Sequence, residues 1–474
     1  MNDHDPMGRA TAGLTTLAAM VVLSGCMSFI PPYEQPAPPV AAVYAPELAP
    51  AGAAGTAAAA DIEWQRYFAD ARLRRLIETA LVNNRDLRVA VLNIEQARAA
   101  YQIRRADELP SLGAGASAQR QPGSGGGLVN TSAVGLQVTG YELDFFGRVR
   151  SLSQAALAQY LATEEARKTV QIALVASVAN THVSLLADAE LLRVTRETLT
   201  TREDSFKLTK LKFDNGASSE LDLRQAEQLL EGARATLAQT QRQRALDENA
   251  LVLLLGQPLP ADLPPALALA EQPVLADLPA GLPSELLTRR PDVRAAEQQL
   301  LGANANIGAA RAAFFPRISL TANAGTASTE LSGLFKSGSF ALTGATLLQP
   351  IFEAGRNQAN LDVAKANREI AVAQYERAIQ TAFREVADAL AGRATLGEQL
   401  RAQAALTNAA QATFKLADLR YRNGASSYLE VLDAQRALFA AQLATVQVQA
   451  QQVQNGVTLY KVLGGGWTGP ANTN

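Results

Sequence analysis

The feature that most constrains this chain is a five-residue turn that is present in two copies. The sequence Asn-Gly-Ala-Ser-Ser begins at Asn215 and again at Asn423, 208 residues further on. A glycine in this position ends a helix because it accepts a left-handed backbone conformation. The serines that follow are preferred N-cap residues of a new helix. Each copy is therefore predicted to form the tip of a helical hairpin, and the chain is predicted to repeat one long hairpin.

Long stretches without helix breakers precede both turns. Residues 148–215 contain neither glycine nor proline, and a continuous helix of that length would be roughly 100 Å long. Residues 356–423 contain no proline and repeat the plan. In the first stretch apolar residues recur every seven positions, which is typical of a helix that supercoils against a neighbour. These residues are Val178, Leu185, Leu192, Leu199, Phe206 and Phe213.

Four shorter segments, two ahead of each hairpin, have a different composition. Residues 111–121, 131–141, 317–327 and 339–349 are rich in Gly, Ser, Thr and Ala, and apolar residues alternate with small or polar ones. This alternation predicts strands, and about 11 residues is the length of a tilted membrane-spanning strand. Four strands cannot close a barrel, and open edges are not tolerated in lipid. The chain is therefore expected to assemble, with eight strands as a dimer or twelve as a trimer, and only twelve leave a lumen.

These patterns divide the chain into two repeats with connecting segments. The expected parts are a signal peptide (1–25), an extended tether (26–62), the first repeat (63–256, hairpin tip at 214–219), a proline-rich connection (257–283), the second repeat (284–464, hairpin tip at 422–427) and a tail (465–474).

The N-terminus has the pattern of a bacterial lipoprotein signal. An apolar run from Leu17 to Leu23 is too short to span a bilayer as a helix. It leads into Ser24-Gly25-Cys26, which resembles a lipobox and makes Cys26, the only cysteine, the expected lipidated residue. The residue after Cys26 is Met27 and not an aspartate, and this absence of aspartate favours sorting to the outer membrane. A signal peptide is expected to begin with basic residues, but acidic residues stand there in this sequence. Met1 and Met7 are therefore alternative translation starts. The other interpretation of Cys26 is a buried free cysteine.

Composition excludes several classes of function. The formal charge of −2 suggests no polyanionic partner, so nucleic acid is not expected. One cysteine allows neither a disulfide framework nor a cysteine metal cluster. Of the two histidines, only His182 lies beyond the signal, and it is expected to be an ordinary helix residue. There is no phosphate loop and no His/carboxylate cluster, so neither an enzyme nor a cofactor other than the lipid is expected.

Short motifs spread over residues 60–467 form a set. They are Trp64-x3-Phe68-x-Asp70, Asn84-x-Asp86-Leu87, Arg289-Arg-Pro-Asp-Val293, Phe315-Pro316, the two Asn-Gly-Ala-Ser-Ser turns, Leu429-Glu-Val-Leu-Asp433 and Leu463-Gly-Gly-Gly-Trp467. Each motif alone is weakly specific. Together they resemble the TolC-like outer-membrane efflux channels, in the lipoprotein branch that serves resistance-nodulation-division (RND) pumps.

The resemblance implies a mainly α-helical fold with a small β part. It implies a homotrimer whose twelve strands form an outer-membrane β-barrel, continued by a periplasmic tube of twelve helical segments. It further implies a passive conduit for drugs or other small compounds. That conduit would dock onto a periplasmic adaptor, also called a membrane fusion protein, and an inner-membrane RND pump.

The resemblance also assigns the gate to the helix tips. Tyr421, Arg422, Leu429 and Asp433 match the constriction residues of the family, and Asp222 is a less direct candidate partner of Arg422. Three copies of Leu429 would form a dewetting barrier, and three copies of Asp433 would attract cations. The alternatives are a solvated helix charge for Asp433 and a helix-packing role for Leu429.

Small residues beside the tips would allow an adaptor hairpin to approach closely. They are Gly216, Ala217, Ser218, Gly424, Ala425, Ser426 and Ser427. Two other functions remain open at this point. One is a structural coiled-coil lipoprotein of the outer membrane without a pore, and the other is a related conduit for metal ions or a secreted polypeptide.

Overall fold

A computed structural model describes residues 28–44, 59–122, 126–272, 283–336 and 339–467. The expected signal peptide, Cys26 and the end of the expected tail lie outside the described residues, as does part of the tether and of the proline-rich connection. The described helices are α1 (Trp64–Tyr67), α2 (Ala71–Asn83), α3 (Arg85–Ala106), α4 (Arg148–Asp214), α5 (Glu220–Leu255), α6 (Pro283–Arg289), α7 (Pro291–Ala312), α8 (Arg356–Arg422) and α9 (Tyr428–Val462). The strands are β1 (Leu112–Pro122), β2 (Leu128–Glu142), β3 (Arg317–Ser328) and β4 (Ser339–Leu348). The predicted class, mainly helical with a small β part, is confirmed.

The chain divides into two compact units that cut across the two sequence repeats. The first unit comprises residues 1–37, 93–164 and 295–376, and the second comprises 38–92, 165–294 and 377–474. The boundaries run through the helices α3, α4, α7 and α8. Each repeat therefore contributes a pair of strands to the first unit and a helical hairpin to the second.

The first unit contains one antiparallel sheet with the strand order β1-β2-β3-β4. The strands of each repeat pair with each other, and β2 pairs with β3 across the repeats. Two glycines, Gly135 and Gly325, lie opposite each other in that central pairing. The outer strands β1 and β4 each pair on one side only, so within the chain the sheet has two open edges. Nearly all side chains of these two edge strands are exposed.

The segment that follows the expected lipidation site is packed onto the first unit. The ring of Phe29 stacks on Phe315 at a centroid distance of 4.7 Å, and its carbonyl accepts a 3.2 Å hydrogen bond from Arg311. The carbonyl of Pro31 accepts a hydrogen bond of 2.8 Å from Asn304. Residues 28–38 form no helix or strand, as expected of a tether, but the carbonyls of Phe29 and Pro31 bind side chains of α7.

The second unit is built from the two hairpins, α4–α5 and α8–α9. One apolar cluster joins Val183 and Ala187 of α4 to Val446, Ala450 and Val453 of α9. One window of α4 is apolar and long enough to cross a membrane, but half of that window is buried, as in the core helix of a packed bundle. The second cluster lies close to the tips and joins α5, α8 and α9.

The buried carboxylate of Asp70 caps the N-terminus of α2 and links this helix to α4. Asp70 accepts hydrogen bonds from the backbone amides of the first turn of α2, and its other oxygen lies 3.1 Å from Nε2 of His182. Gln272 donates to the same oxygen at 3.0 Å. Burial acts to raise the pKa of Asp70, but the hydrogen bonds from His182 and Gln272 outweigh it and lower the pKa to about 2. His182 thus has a structural partner.

Candidate functional site

Both hairpin tips have the same backbone. Gly216 and Gly424 adopt φ angles of 69° and 72°, a left-handed conformation that a glycine accepts without strain. The amides of Ala217 and Ala425 donate to the carbonyls of Lys212 and Arg420 at 2.7 and 2.8 Å. These bonds satisfy carbonyls that would otherwise be left free at the end of the helix.

The two tips differ in how the return helix is capped. Ser219 and Asp222 form a reciprocal capping box, in which the Ser219 hydroxyl and amide both donate to the Asp222 carboxylate. Burial acts to raise the pKa of Asp222, but these bonds and one from Ser218 lower it below its ordinary value. Ser427, at the same place in the second tip, makes no such side-chain bond. The return helix of the first tip is therefore capped by a carboxylate, whereas that of the second tip is not.

Tyr421 joins the end of α8 to the first hairpin. Lys212 of α4 donates to the Tyr421 hydroxyl at 2.9 Å and lies 4.6 Å from the centroid of its ring. Tyr428 lies beside Tyr421, with ring centroids 5.1 Å apart. Lys212 was not among the residues predicted from the sequence. Its only signal there was its position as a basic residue in the last turn of the helix.

Leu429 and Asp433 lie one turn apart on the exposed side of α9. Leu429 is 45 % exposed, whereas Leu432 is 1 % exposed and occupies the apolar cluster between the hairpins. Asp433 is exposed and pairs with Arg436 at 3.0 Å. Within the chain, the side chains of Leu429 and Asp433 therefore both reach the surface.

The structure does not bring Arg422 to either of its expected partners within the chain. Arg422 instead pairs with Asp418, one turn earlier on α8, at 2.9 Å. Asp222 is engaged in its capping box, and Asp433 pairs with Arg436.

A groove of about 590 Å³ lies between the last turns of α4 and the second hairpin. It is lined by Thr201, Asp204, Ser205, Leu208, Thr209, Lys212, Phe414, Asp418, Tyr421, Arg422, Tyr428, Val431 and Gln435. The small residues at the tips lie on the surface or half-buried, and the hydroxyl of Ser426 has no hydrogen-bond partner among the described residues.

A buried aspartate that was not predicted from the sequence, Asp188, lies between α4 and α5. Asp188 is 4 % exposed, and its Oδ2 has no partner among the described residues. Burial and the neighbouring carboxyl of Asp247 raise the pKa of Asp188 to about 7. In the sequence, Asp188 differs from other helix aspartates only in lying on the apolar face of its helix. The apolar periodicity alone did not show that this aspartate is buried.

We expect Asp188 to make the protein more stable in mild acid than at alkaline pH. Between the ordinary pKa of an aspartate and about 7, the Asp188 carboxyl stays protonated in the folded state but is ionised in the unfolded chain. The free energy of unfolding therefore falls as the pH rises through that window. The check is the thermal midpoint at about pH 5 and about pH 8 for the wild type and Asp188→Asn. The variant should show a smaller difference between the two, and an unchanged difference would contradict the assignment.

A model of one protein family matches two stretches of the chain, residues 76–257 and 282–465. The family is described as outer membrane efflux protein. The two matched stretches correspond to the two repeats read from the sequence.

Relatives match over nearly the whole length. A protein of Pseudomonas putida named "Probable efflux pump outer membrane protein TtgC" is 49 % identical over 480 residues, which cover 98 % of each chain. Outer membrane protein OprJ of Pseudomonas aeruginosa is 46 % identical over 470 residues, with 97 % of each chain covered.

Solved structures share the fold. The MtrE outer membrane channel of Neisseria gonorrhoeae, in its open state, is 41 % identical with a TM-score of 0.85, covering 93 % of this chain and 99 % of MtrE. A membrane protein from Pseudomonas aeruginosa has the same TM-score at 45 % identity and covers 93 % of this chain and 98 % of its own. With both repeats matched and nearly half of all positions identical, the chain belongs to the outer membrane efflux protein family.

Proposed function

We propose that the chain is the outer-membrane channel of a tripartite efflux system and acts as a passive conduit for drugs or other small compounds. The single observation that carries this proposal is the four-stranded sheet with two open edges, joined to two long hairpins in a member of the efflux family. Backbone groups at open edges cannot remain unpaired in lipid. Three copies would pair β4 of one chain with β1 of the next and close a twelve-stranded barrel wide enough for a lumen.

Conductance separates this function from a structural lipoprotein without a pore. We expect the purified, detergent-solubilised protein to give discrete conductance steps in a planar bilayer. If neither the wild type nor a variant opened at the tips conducts, the alternative of a coiled-coil lipoprotein is favoured.

The gate is proposed to lie at the tips of the second hairpin. Leu429 and Asp433 are exposed on one face of α9, and three copies would present a ring of apolar side chains beside a ring of carboxylates. Arg422 is 73 % exposed in its pair with Asp418. Exposed pairs of this kind contribute little stability, so Arg422 can exchange Asp418 for Asp433 or Asp222 of a neighbouring subunit. Tyr421 would hold the second hairpin to Lys212 in the closed state.

Partner binding is proposed at the small residues of both tips. Gly216, Ala217, Gly424 and Ala425 have no large side chains and are exposed, so a helical hairpin of a periplasmic adaptor can approach the backbone closely. The inner-membrane pump is then reached through the adaptor.

We also propose that Cys26 carries a lipid that anchors the chain in the outer membrane. The packed segment supports this, because Phe29, three residues later, stacks on Phe315 just before β3 begins. Anchoring there would put acyl chains beside the strands.

Mass spectrometry of the mature N-terminus checks the lipid anchor. We expect cleavage before Cys26 and an acylated cysteine, and Cys26→Ser should abolish both. A membrane-bound mature chain with an unmodified Cys26 would contradict the anchor.

A further inference from the structure

A cavity of about 180 Å³ lies between α4 of the first hairpin and both helices of the second. It is lined by Val194, Glu197, Thr198, Thr201, Arg202, Gln411, Phe414, Gln435, Leu438, Phe439 and Gln442. A cavity needs only about 10–15 Å³ to hold one water. This cavity therefore has room for a small polyatomic ion.

Arg202 is the dominant charged group of the cavity. It is 5 % exposed, it donates to the carbonyl of Leu229 at 2.8 Å, and its guanidinium lies 4.8 Å from the ring centroid of Phe439. Its Nε has no hydrogen-bond partner among the described residues. One carbonyl and one ring face leave donors of the guanidinium unused.

No carboxylate in the described part of the chain forms an ion pair with Arg202. Glu197 lines the cavity, but its side chain is 63 % exposed and pairs with Arg193 at 2.7 Å. Burial and the nearby charge of Arg436 lower the pKa of Arg202, and Arg436 is itself paired with Asp433. A buried cation without a counter-charge is strongly unfavourable, so the cavity favours an anion.

The hairpin fold itself does not require this arginine. At the repeat offset of 208 residues, the equivalent position in the second hairpin is Ala410. Gln435 adds a polar group on the opposite wall. Gln435 is 8 % exposed. Its Nε2 donates to the hydroxyl of Ser205 at 3.4 Å, and its Oε1 has no partner among the described residues. Its amide can present either the oxygen or the NH₂ group by a half turn.

We propose that this cavity binds a small oxyanion, of the carboxylate or phosphate class, with Arg202 as its cationic ligand and the Gln435 amide as a second donor. The bound ion would connect α4 of the first hairpin to α9 of the second. The test measures binding and thermal stability rather than conductance, so it is separate from the tests of the pore and the gate.

The test is the thermal midpoint of the detergent-solubilised wild-type protein during titration with inorganic phosphate or acetate. Sodium chloride keeps the ionic strength constant, and calorimetry measures binding directly. We expect one of the two oxyanions to raise the midpoint saturably and to bind with measurable heat. A response to phosphate alone or acetate alone assigns the class, and both outcomes support the site. No saturable shift with either oxyanion would overturn the proposal.

Two variants locate the effect. Arg202→Gln should abolish the shift, whereas Arg196→Gln, at an exposed arginine of the same helix that does not line the cavity, should keep it. Gln435→Glu places a carboxylate inside the cavity, so it should be as stable as the wild type or more stable and should no longer respond. If Arg202→Gln fails to assemble, Gln435→Glu decides the question. A wild-type response in either Arg202→Gln or Gln435→Glu would overturn the proposal.

Discussion

Replacing Leu429 and Asp433 together by alanine is expected to raise the single-channel conductance of the assembled protein several-fold and to admit large antibiotics such as vancomycin. Leu429→Ala removes the apolar ring that would exclude water, and Asp433→Ala removes the carboxylate and any contact of Arg422 with it. Neither substitution is expected to disturb the packing of the chain, because Leu429 is 45 % exposed and the partner of Asp433 among the described residues is the exposed Arg436. The measurement is conductance in planar bilayers, with vancomycin susceptibility of cells that express the variant.

A matched control uses an exposed leucine and an exposed aspartate farther from the tip. Leu406 is 55 % exposed, and the side chain of Asp388 is 74 % exposed, both on α8. Leu406→Ala with Asp388→Ala should leave conductance and susceptibility unchanged. If the Leu429 and Asp433 variant assembles correctly and behaves like this control, the gate lies elsewhere.

Substituting valine for either glycine of the central strand pair is expected to prevent assembly almost completely. A Cβ at Gly135 would lie 2.4 Å from the carbonyl oxygen of Ala324, and one at Gly325 would lie 2.1 Å from that of Val134. Neither backbone can yield, because both carbonyls belong to the paired strands β2 and β3. Since this pairing joins the strands of the two repeats, its loss would leave separate hairpins with four edges.

Gly344 of β4 provides the control, because a Cβ there would meet no atom of the chain within 4 Å. Membrane fractions analysed without heating should show the assembled form for the wild type and Gly344→Ala. Gly135→Val and Gly325→Val should give little or none. Normal amounts of assembled Gly135→Val would show that the central pairing tolerates a side chain and is not as close as described.

Much of the fold could be predicted from the sequence because its signals are local. The turn at Gly216 and Gly424 needs a left-handed residue, and the absence of breakers between Arg148 and Asn215 leaves a helix as the simplest solution. The four strands follow from alternation over segments of membrane length. The division into two compact units was not predicted, because it depends on contacts between residues far apart in the sequence.

The details of the site were harder to predict. The contact between Lys212 and Tyr421 and the isolation of Arg202 arise where α4 meets the second hairpin, and no spacing within one helix reveals them. The different capping of the two return helices can be predicted in part from the sequence, because Asp222 stands three residues after Ser219. The exposure of Leu429 could not be predicted without its packed neighbours, because the sequence left a helix-packing role for it open.

Native mass spectrometry of the detergent-solubilised protein counts the chains in one channel, and the proposed pore exists only if three chains close one barrel. We expect a single dominant species with the mass of three mature chains, each carrying its lipid. A stable monomer or dimer as the dominant species, under conditions in which the protein conducts, would contradict it.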